Sequence, residues 1–337
     1  MTPHHVRRSP LLIAFLMAFA AGCGDGGAPR KAETPVLRAR HYPYTIVTTT
    51  GMVADIVRQV AGDKADVVSL MGEGVDPHLY KPTRDDVAKL LSADLVFYSG
   101  LNLEGRMTDT LTRIGRSGKP VFVVTEKLEP SYLREPPEFA GHYDPHVWMD
   151  VAAWSQCVEM VAEALGQFDP DNQQRYLKSA ASYRAELKEL DSYCRQVIGS
   201  VPQERRMLVT AHDAFGYFSR AYGIPVHSVQ GISTESEASV RDVNELIETI
   251  VSRQVPAIFV ESSVSEKNIK AVMEGAARKG FKVHIGGSLF SDAMGAAGTY
   301  EGTYIGMLDH NATTIARALG GQAPERGFRG QLSAAKP

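Results

Sequence analysis

Short apolar runs alternate with longer amphipathic segments along most of the chain from residue 44 onward. The short runs are rich in β-branched and aromatic residues, which predicts strands. Between them, apolar residues recur at spacings of three and four, which is typical of helices with one buried face. Strands and helices in alternation indicate mostly parallel sheets covered by helices. The predicted strands are YTIVTT, ADVVSL, DLVFYSG and PVFVVT, and later MLVTA, PVHSVQ, AIFVES and KVHIGG.

Several helical patterns begin or end at residues that commonly cap helices. Thr83 is followed three residues later by Asp86, which resembles a capping box. Asp150 is placed to cap the segment VAAWSQCVEMVAEALG, and Gly280 is a candidate left-handed cap. In the second half, helices are predicted at 213–222, 239–253, 265–279 and about 302–319.

The longest helical pattern opens at Asp169 and Pro170 and continues to about Ile198. At ~1.5 Å per residue such a helix is more than about 40 Å long, which is enough to connect two domains. A folded part of about 290 residues also suits two medium domains better than one. Its predicted apolar face consists of Tyr176, Leu177, Ala180, Tyr183, Leu187, Leu190 and Cys194.

We therefore expect two α/β lobes with mostly parallel sheets, linked by one long rigid α-helix. The expected boundaries are an N-terminal lobe at 44–168, a linking helix at 169–200, a C-terminal lobe at 201–320 and a tail at 321–337.

The N-terminal residues have the pattern of an export signal. Arg7 and Arg8 precede the apolar run LLIAFLMAFAA, which is too short to span a bilayer, and small residues follow. The run ends in AAGC, so Cys23 occupies the position at which bacterial lipoproteins are acylated; ordinary cleavage slightly earlier is the alternative. We expect a signal peptide at 1–22, then the lipidated cysteine and a flexible tether at 23–43. The mature protein would be exported and held at a membrane by lipid, facing the periplasm or the cell exterior.

Charge and cysteine usage exclude two kinds of chemistry. The net charge is −3 and no basic patch is apparent, which argues against a nucleic-acid partner. Of the three cysteines, Cys157 and Cys194 fall inside apolar helical patterns, so we expect buried packing residues rather than a disulfide or metal ligands.

The tripeptide Asp-Pro-His occurs twice, in GVDPHLYKPT and in GHYDPHVWMD. Proline fixes its own φ, restricts the residue before it and donates no backbone hydrogen bond, so it can hold the next side chain in a set direction. This repetition favours a function for His78 and His146 over ordinary packing. The neighbouring Asp76 and Asp144 could accept the second imidazole N–H and fix the tautomer.

Other reactive side chains follow strands, where ligands of open α/β sheets bind. His212 comes directly after MLVTA, Glu261 ends AIFV, and Asp292 follows VHIGGSLFS. Each of them alone is weak evidence, because a polar residue beside a strand end is more often part of the core or surface. Together with His78 and His146, all could converge on the crevice between the lobes.

The chain resembles the solute-binding proteins of zinc and manganese ABC transporters, the TroA-like group also called cluster A-I or solute-binding protein family 9. The resemblance covers nearly all of residues 44–320, and its motifs occur in the family's order. It implies two lobes linked by one long helix, a divalent metal ion held between them, and delivery to a membrane permease with its ATPase. The segments that carry it are GVDPHLYKPT, DPHVWMD, TAHDAFGYFSRAYGI, FVESSVSEK, SLFSDAMG and YEGTYIGMLDHN.

By position, His78, His146, His212 and Asp292 match the four metal-ligand places of that family. Three imidazoles and one carboxylate suit a borderline first-row divalent ion better than Mg²⁺ or Ca²⁺. One oxygen from Asp292 would give four-coordination, which favours Zn²⁺, whereas two would give five, which Mn²⁺ or Fe²⁺ accept more readily. Glu261 is expected to accept a hydrogen bond from His212 or to serve as an occasional extra ligand.

The motifs leave the identity of the metal open. Manganese-dedicated relatives usually carry Glu in place of His212, which favours zinc. Zinc-dedicated relatives often carry a His-rich loop after the first ligand, which is absent here, and EGTYIGMLDHN resembles the manganese branch. We expect a site that accepts both ions and binds zinc more tightly in vitro.

The resulting hypothesis is a monomeric transport receptor and not an enzyme. A metal-binding adhesin or metal-storage surface lipoprotein would share fold and site. A zinc hydrolase is less favoured because the motif H-E-x-x-H is absent. Among the remaining histidines, His142 is expected at the surface, His227 and His284 in strand packing, and His310 on the last helix.

Overall fold

The computed structural model describes residues 41–333. The predicted signal peptide, Cys23 and most of the tether lie outside the described residues. Within the described part of the chain, no helix is both long and apolar enough to cross a membrane.

The first lobe contains a four-stranded sheet and three α-helices. Its elements are β1 (Tyr44–Thr48), α1 (Gly51–Ala61), β2 (Ala65–Ser69), α2 (Arg84–Ser92), β3 (Leu95–Tyr98), α3 (Thr108–Arg116) and β4 (Val121–Val123). The sheet is all-parallel with strand order β2-β1-β3-β4, and all four predicted strands are confirmed. The helix α3 was not predicted, although Met107, Leu111 and Ile114 have helical spacing and are buried.

Two long helices follow, α4 (Val151–Phe168) and α5 (Gln173–Gly199). The helical segment begins at Pro170, as predicted, but its first three residues, Pro170–Asn172, form a 3₁₀ turn and the regular α-helix begins at Gln173. The α5 helix packs against both α1 and α4. It therefore connects the first lobe to the second, whose helices it also contacts.

The apolar stripe of α5 differs from the prediction at Leu177, which is 42% exposed. The buried stripe follows the spacing four, three, four from Tyr176 through Ala180 and Tyr183 to Leu187. Leu177 directly follows Tyr176, so the helical rotation turns it away from this face.

The second lobe contains two parallel strand pairs, β5 with β6 and β7 with β8, and β5 lies beside β7. The predicted strands and helices are all present, but α6 is shorter than predicted. The elements are β5 (Leu208–His212), α6 (Gly216–Tyr222), β6 (Val226–Gln230), α7 (Val240–Arg253), β7 (Ala257–Glu261), α8 (Lys267–Arg278), β8 (His284–Leu289) and α9 (Tyr304–Ala318). Both α6 and α9 pack against α5.

The predicted caps are confirmed. Thr83 and Asp86 form a reciprocal capping box at the start of α2, and the Asp150 side chain accepts from the first backbone N–H groups of α4. Gly280 has a φ of 78°, the left-handed conformation expected just after α8.

One continuous core extends through both lobes along α4, α5 and α9. Cys157 and Cys194 are free, buried thiols within it, as predicted. The C-terminal segment is not merely a polar tail. Phe328 is buried against Tyr193, with ring centroids 5.4 Å apart, and its backbone N–H donates to Asp309 Oδ1 at 2.8 Å.

Candidate metal centre

Four side chains from distant parts of the sequence meet where the two lobes face each other. His78 lies in the loop after β2, and His146 directly precedes a 3₁₀ turn that leads into α4. His212 is the last residue of β5, and Asp292 follows β8. One ligand atom from each of the four lies within 4.8 Å of the other three. The first lobe and its connection to α4 thus supply two of these atoms, and the second lobe supplies the other two.

Three distances between ligand atoms of this cluster are close to the edge of a tetrahedral metal site. His146 Nε2 is 3.3 Å from Asp292 Oδ1, and His212 Nε2 is 3.2 Å from Asp292 Oδ2. The Nε2 atoms of His78 and His146 are 3.3 Å apart. A tetrahedron with metal–ligand bonds of about 2.1 Å has edges of roughly 3.4 Å. His78 Nε2 to Asp292 Oδ2 is longer, at 3.9 Å.

The cluster is buried, and part of it has no hydrogen-bond partner in the protein. His146 and His212 are fully buried, and Asp292 is 2% exposed. His212 Nε2 and both Asp292 carboxylate oxygens are buried without a partner. Leaving a buried polar atom unsatisfied costs about 1–3 kcal/mol, so this group of unpaired donor atoms is the arrangement expected of a cation site.

Two carboxylates fix the imidazoles of the buried histidines. Asp144 Oδ1 accepts from His146 Nδ1 at 2.8 Å and from the His146 backbone N–H at 3.0 Å. Glu261 accepts from His212 Nδ1 at 2.5 Å and, through its other oxygen, from the His212 backbone N–H at 2.8 Å. Both contacts keep a proton on Nδ1, so Nε2 is the atom that faces the cluster and can bind a metal once it has lost its own proton.

Asp76 differs from the prediction, because it does not contact the His78 imidazole. Its Oδ1 accepts from the His78 backbone N–H at 2.8 Å, and its Oδ2 accepts from the Thr234 hydroxyl at 2.6 Å. This contact is an Asx turn, in which an Asp side chain accepts from the backbone N–H two residues later, so the carboxylate faces the backbone instead of the ring. Asp76 therefore positions the His78 loop rather than the His78 tautomer.

Sequence reasoning missed a group of residues behind His146. The Arg134 guanidinium donates to Asp144 Oδ2, and the Tyr217 hydroxyl donates to the Asp144 carbonyl at 2.9 Å. Arg134 lies over Gly216, where a Cβ atom would have no room. The contact joins residues far apart in sequence, and no local motif around Arg134 indicates it.

The electrostatics of the ion-free cluster follow from burial and from its carboxylates. Burial, only partly offset by Asp292, lowers the pKa of His78 to about 3. Burial also opposes protonation of His146, but Asp144 and Asp292 outweigh it and raise the pKa to about 9. Glu261 and Asp292 likewise overcome burial and hold the pKa of His212 well above its ordinary value. Protons on His146 and His212 therefore compete with any metal cation for the cluster.

The other histidines lie outside this cluster. His142 is exposed and packs on Phe139, with ring centroids 5.3 Å apart. His227 is partly buried, whereas His284 is exposed, so the packing prediction for His284 is wrong: its position at the start of β8 faces solvent. His310 lies on α9 and donates from Nε2 to the Ser288 carbonyl at 2.9 Å.

The profile of a protein family described as ZnuA, the periplasmic component A of a zinc-uptake complex, matches residues 46–318. The chain is 44% identical over 314 residues to the manganese-binding lipoprotein MntA of Bacillus subtilis (strain 168), which covers 93% of this chain and 99% of MntA. It is 47% identical over 274 residues to the zinc-binding protein TroA of Treponema pallidum (strain Nichols), covering 81% of this chain and 88% of TroA. The solved structure of periplasmic TroA superimposes with a TM-score of 0.79 over 82% of this chain and 99% of that one.

Proposed function

Because the chain belongs to the ZnuA family of periplasmic metal-uptake components, we propose that it is the solute-binding protein of an ABC transporter and carries a divalent transition-metal ion. One observation carries the proposal. Three imidazoles and one carboxylate, two of these groups from each lobe, come together, and three of their buried atoms have no hydrogen-bond partner in the described protein. A cation at that point would satisfy all of them.

The proposed ligands are the Nε2 atoms of His78, His146 and His212 and the carboxylate of Asp292. Asp144 and Glu261 would keep two of the imidazoles in the binding tautomer. In this arrangement the lobes at 44–168 and 201–320, joined by the helical segment 169–200, each hold half of the site. Binding would join the halves, so that the loaded protein differs from the empty one in a way a permease can distinguish.

The donor set supports Zn²⁺ and Mn²⁺ as cargo, with Fe²⁺ as a further possibility. Asp292 presents Oδ1 to His146 and Oδ2 to His212, and neither oxygen has a hydrogen-bond partner elsewhere in the described protein. The carboxylate can therefore bind through one oxygen, which suits zinc, or through both, which suits manganese. MntA is named for manganese and TroA for zinc. We expect the site to accept both ions and to bind zinc more tightly, as the Irving–Williams order requires.

The same geometry argues for a carrier and against a metal-dependent enzyme. Catalytic zinc sites keep one coordination position open for a water molecule, whereas four protein side chains would surround this ion. The carboxylates that contact the cluster histidines through their rings, Asp144 and Glu261, are both engaged by imidazole N–H groups and so are not free to act as a general base.

Delivery requires partners beyond this chain. The family assignment implies a membrane permease and its ATPase, and the relative MntA is named a lipoprotein. We propose that Cys23 is acylated and that the protein acts as a monomer on the outer face of a membrane. Metabolic labelling with a fatty acid, compared between the wild type and Cys23→Ala, tests the anchor. Equal label in both would contradict it.

The ligand assignment is tested by titrating purified, chelator-treated protein with Zn²⁺ and with Mn²⁺. We expect one ion per chain and a loss of affinity of at least about a hundredfold in His146→Ala, because a ligand and its fixed geometry are both removed. His142→Ala is the matched control, since that histidine is four residues away, exposed and outside the cluster. Unchanged affinity in His146→Ala, or a stoichiometry far from one, would refute the assignment.

A further inference from the structure

The metal centre is closed to an ion that still carries its water shell. The cavity that reaches His78 has a volume of about 20 Å³, which is room for roughly one water molecule. It is lined on one side by Leu101, Phe139 and Pro145 and on the other by Ser233 and Glu235. An ion that reaches His78 through this cavity has to shed its waters, and one wall has to move for the ion to pass.

The wall from the second lobe is a loop, residues 231–238, between β6 and α7. We name it the gate loop. Two side-chain contacts hold it to the first lobe. The Thr234 hydroxyl donates to Asp76 Oδ2 at 2.6 Å, and Arg106 Nε donates to Glu235 Oε1 at 2.9 Å.

These two contacts differ in strength because they differ in exposure. The Arg106 and Glu235 side chains are 34% and 50% exposed, and an ion pair in such a setting contributes little. Thr234 is 9% exposed and donates to a carboxylate that is half-buried. A hydrogen bond to a charged acceptor that is shielded from water is stronger than an exposed ion pair. The Thr234–Asp76 hydrogen bond therefore contributes most to holding the gate loop against the first lobe.

The acceptor of that bond also sets the position of a proposed metal ligand. Asp76 Oδ1 accepts from the His78 backbone N–H at 2.8 Å while Oδ2 holds Thr234. The Asp76 carboxylate thus contacts both the gate loop of the second lobe and the His78 loop of the first lobe. When the Thr234–Asp76 hydrogen bond breaks, Asp76 keeps only the His78 backbone as a partner, and the His78 loop is held less rigidly.

We propose that Thr234 is a positioning residue that closes the gate loop over the cargo through Asp76 and thereby limits the rate at which the ion enters and leaves. This inference rests on the proposed function, because it concerns ion exchange at the same site. Among the described residues, the Thr234 hydroxyl donates to Asp76 and not to a proposed ligand. Its effect should therefore appear in exchange rates more than in stoichiometry.

The test uses Thr234→Val, which keeps the shape of the side chain and removes the hydroxyl. Purified protein is loaded with Zn²⁺, and release to an excess of chelator is followed by stopped-flow fluorescence. We expect release to accelerate by at least about tenfold, the effect of losing one hydrogen bond to a charged group. Ion capture should also quicken, so that the dissociation constant changes less than the release rate does. Thr234→Ser should restore the slow rate, because it restores the donor.

Glu237→Gln is the matched control, since Glu237 is an exposed residue of the same loop. Release from Thr234→Val within twofold of this control would overturn the proposal. Stoichiometry of the wild type, measured on the same sample, separates the two hypotheses: failure to bind one ion refutes the proposed function, whereas normal binding with unaltered release refutes only the gate.

Amide hydrogen exchange on the wild type provides a test that requires no variant. Loading with Zn²⁺ should slow exchange at residues 231–238 and around His78, because closure protects both loops. Unchanged exchange in the gate loop on loading would contradict the proposal even if Thr234→Val failed to fold.

Discussion

Glu261→Gln is expected to weaken metal binding although Glu261 is not a proposed ligand. The wild-type carboxylate accepts two hydrogen bonds from His212, one from the backbone N–H and one from ring Nδ1–H. A carboxamide has one oxygen and one NH₂ group, so it can accept only one of them. The backbone N–H cannot give up its proton, so the oxygen stays with it and the NH₂ group faces Nδ1.

The ring must then move its proton to Nε2, the atom that lies 3.2 Å from Asp292 Oδ2 and points at the ion site. Protonated Nε2 has no lone pair for a metal. Losing the residue that orients a metal-bound histidine typically costs 10–100-fold in affinity, which corresponds to about 1.4–2.7 kcal/mol. The variant keeps the size of the side chain, so the fold should be retained.

The assay is competition for Zn²⁺ against a chelator of known affinity, with the Glu237→Gln variant as a control for the loss of one negative charge. Circular dichroism of the ion-free proteins checks that both variants are folded. Affinity of Glu261→Gln within twofold of the control would refute the reasoning that Glu261 sets the His212 tautomer.

Three further outcomes are expected. Zn²⁺ binding near pH 7 should release protons, because the pKa of His146 is raised to about 9 and that of His212 is also raised. The affinity for Zn²⁺ should therefore fall as the pH is lowered. Calorimetry in buffers of different ionisation enthalpy measures the protons released, and finding none would contradict this expectation. Zn²⁺ at a hundred times its dissociation constant should stabilise the folded protein by about 2.7 kcal/mol, and an unchanged thermal midpoint would exclude specific binding. Burial raises the pKa of Asp55 to about 6, so the folded state favours the protonated carboxyl. Its contribution to the free energy of unfolding is fully present below about pH 4 and is lost as the pH rises through 6. Asp55→Asn should abolish about 3 kcal/mol of that pH dependence. Urea unfolding at pH 4 and pH 7 measures the free energy of unfolding of both proteins. A difference between variant and wild type that is the same at both pH values would contradict the raised pKa of Asp55.

The strand and helix pattern could be predicted because each element has a strong local signal. Strands buried on both faces appear as continuous β-branched runs, and the caps at Thr83 and Asp150 are formed by residues only a few positions apart. The proline-preceded His78 and His146 were also conspicuous, because the same tripeptide occurs twice. Local chemistry and periodicity suffice for features of this kind.

Features that depend on distant contacts could not be predicted. Thr234 reaches Asp76 across 158 positions, and Tyr217 reaches Asp144 across 73, so no window of sequence contains both partners. The packing of Phe328 against α5 was missed for the same reason, since a lone aromatic in a polar segment has no periodicity. These contacts arise only when the lobes and the tail come together.

Anomalous scattering at the metal absorption edge, measured on crystals of the loaded protein, locates the bound ion directly. We expect one strong peak within about 2.0–2.3 Å of His78 Nε2, His146 Nε2, His212 Nε2 and at least one oxygen of Asp292. A peak elsewhere, or an ion bound by side chains of only one lobe, would contradict it.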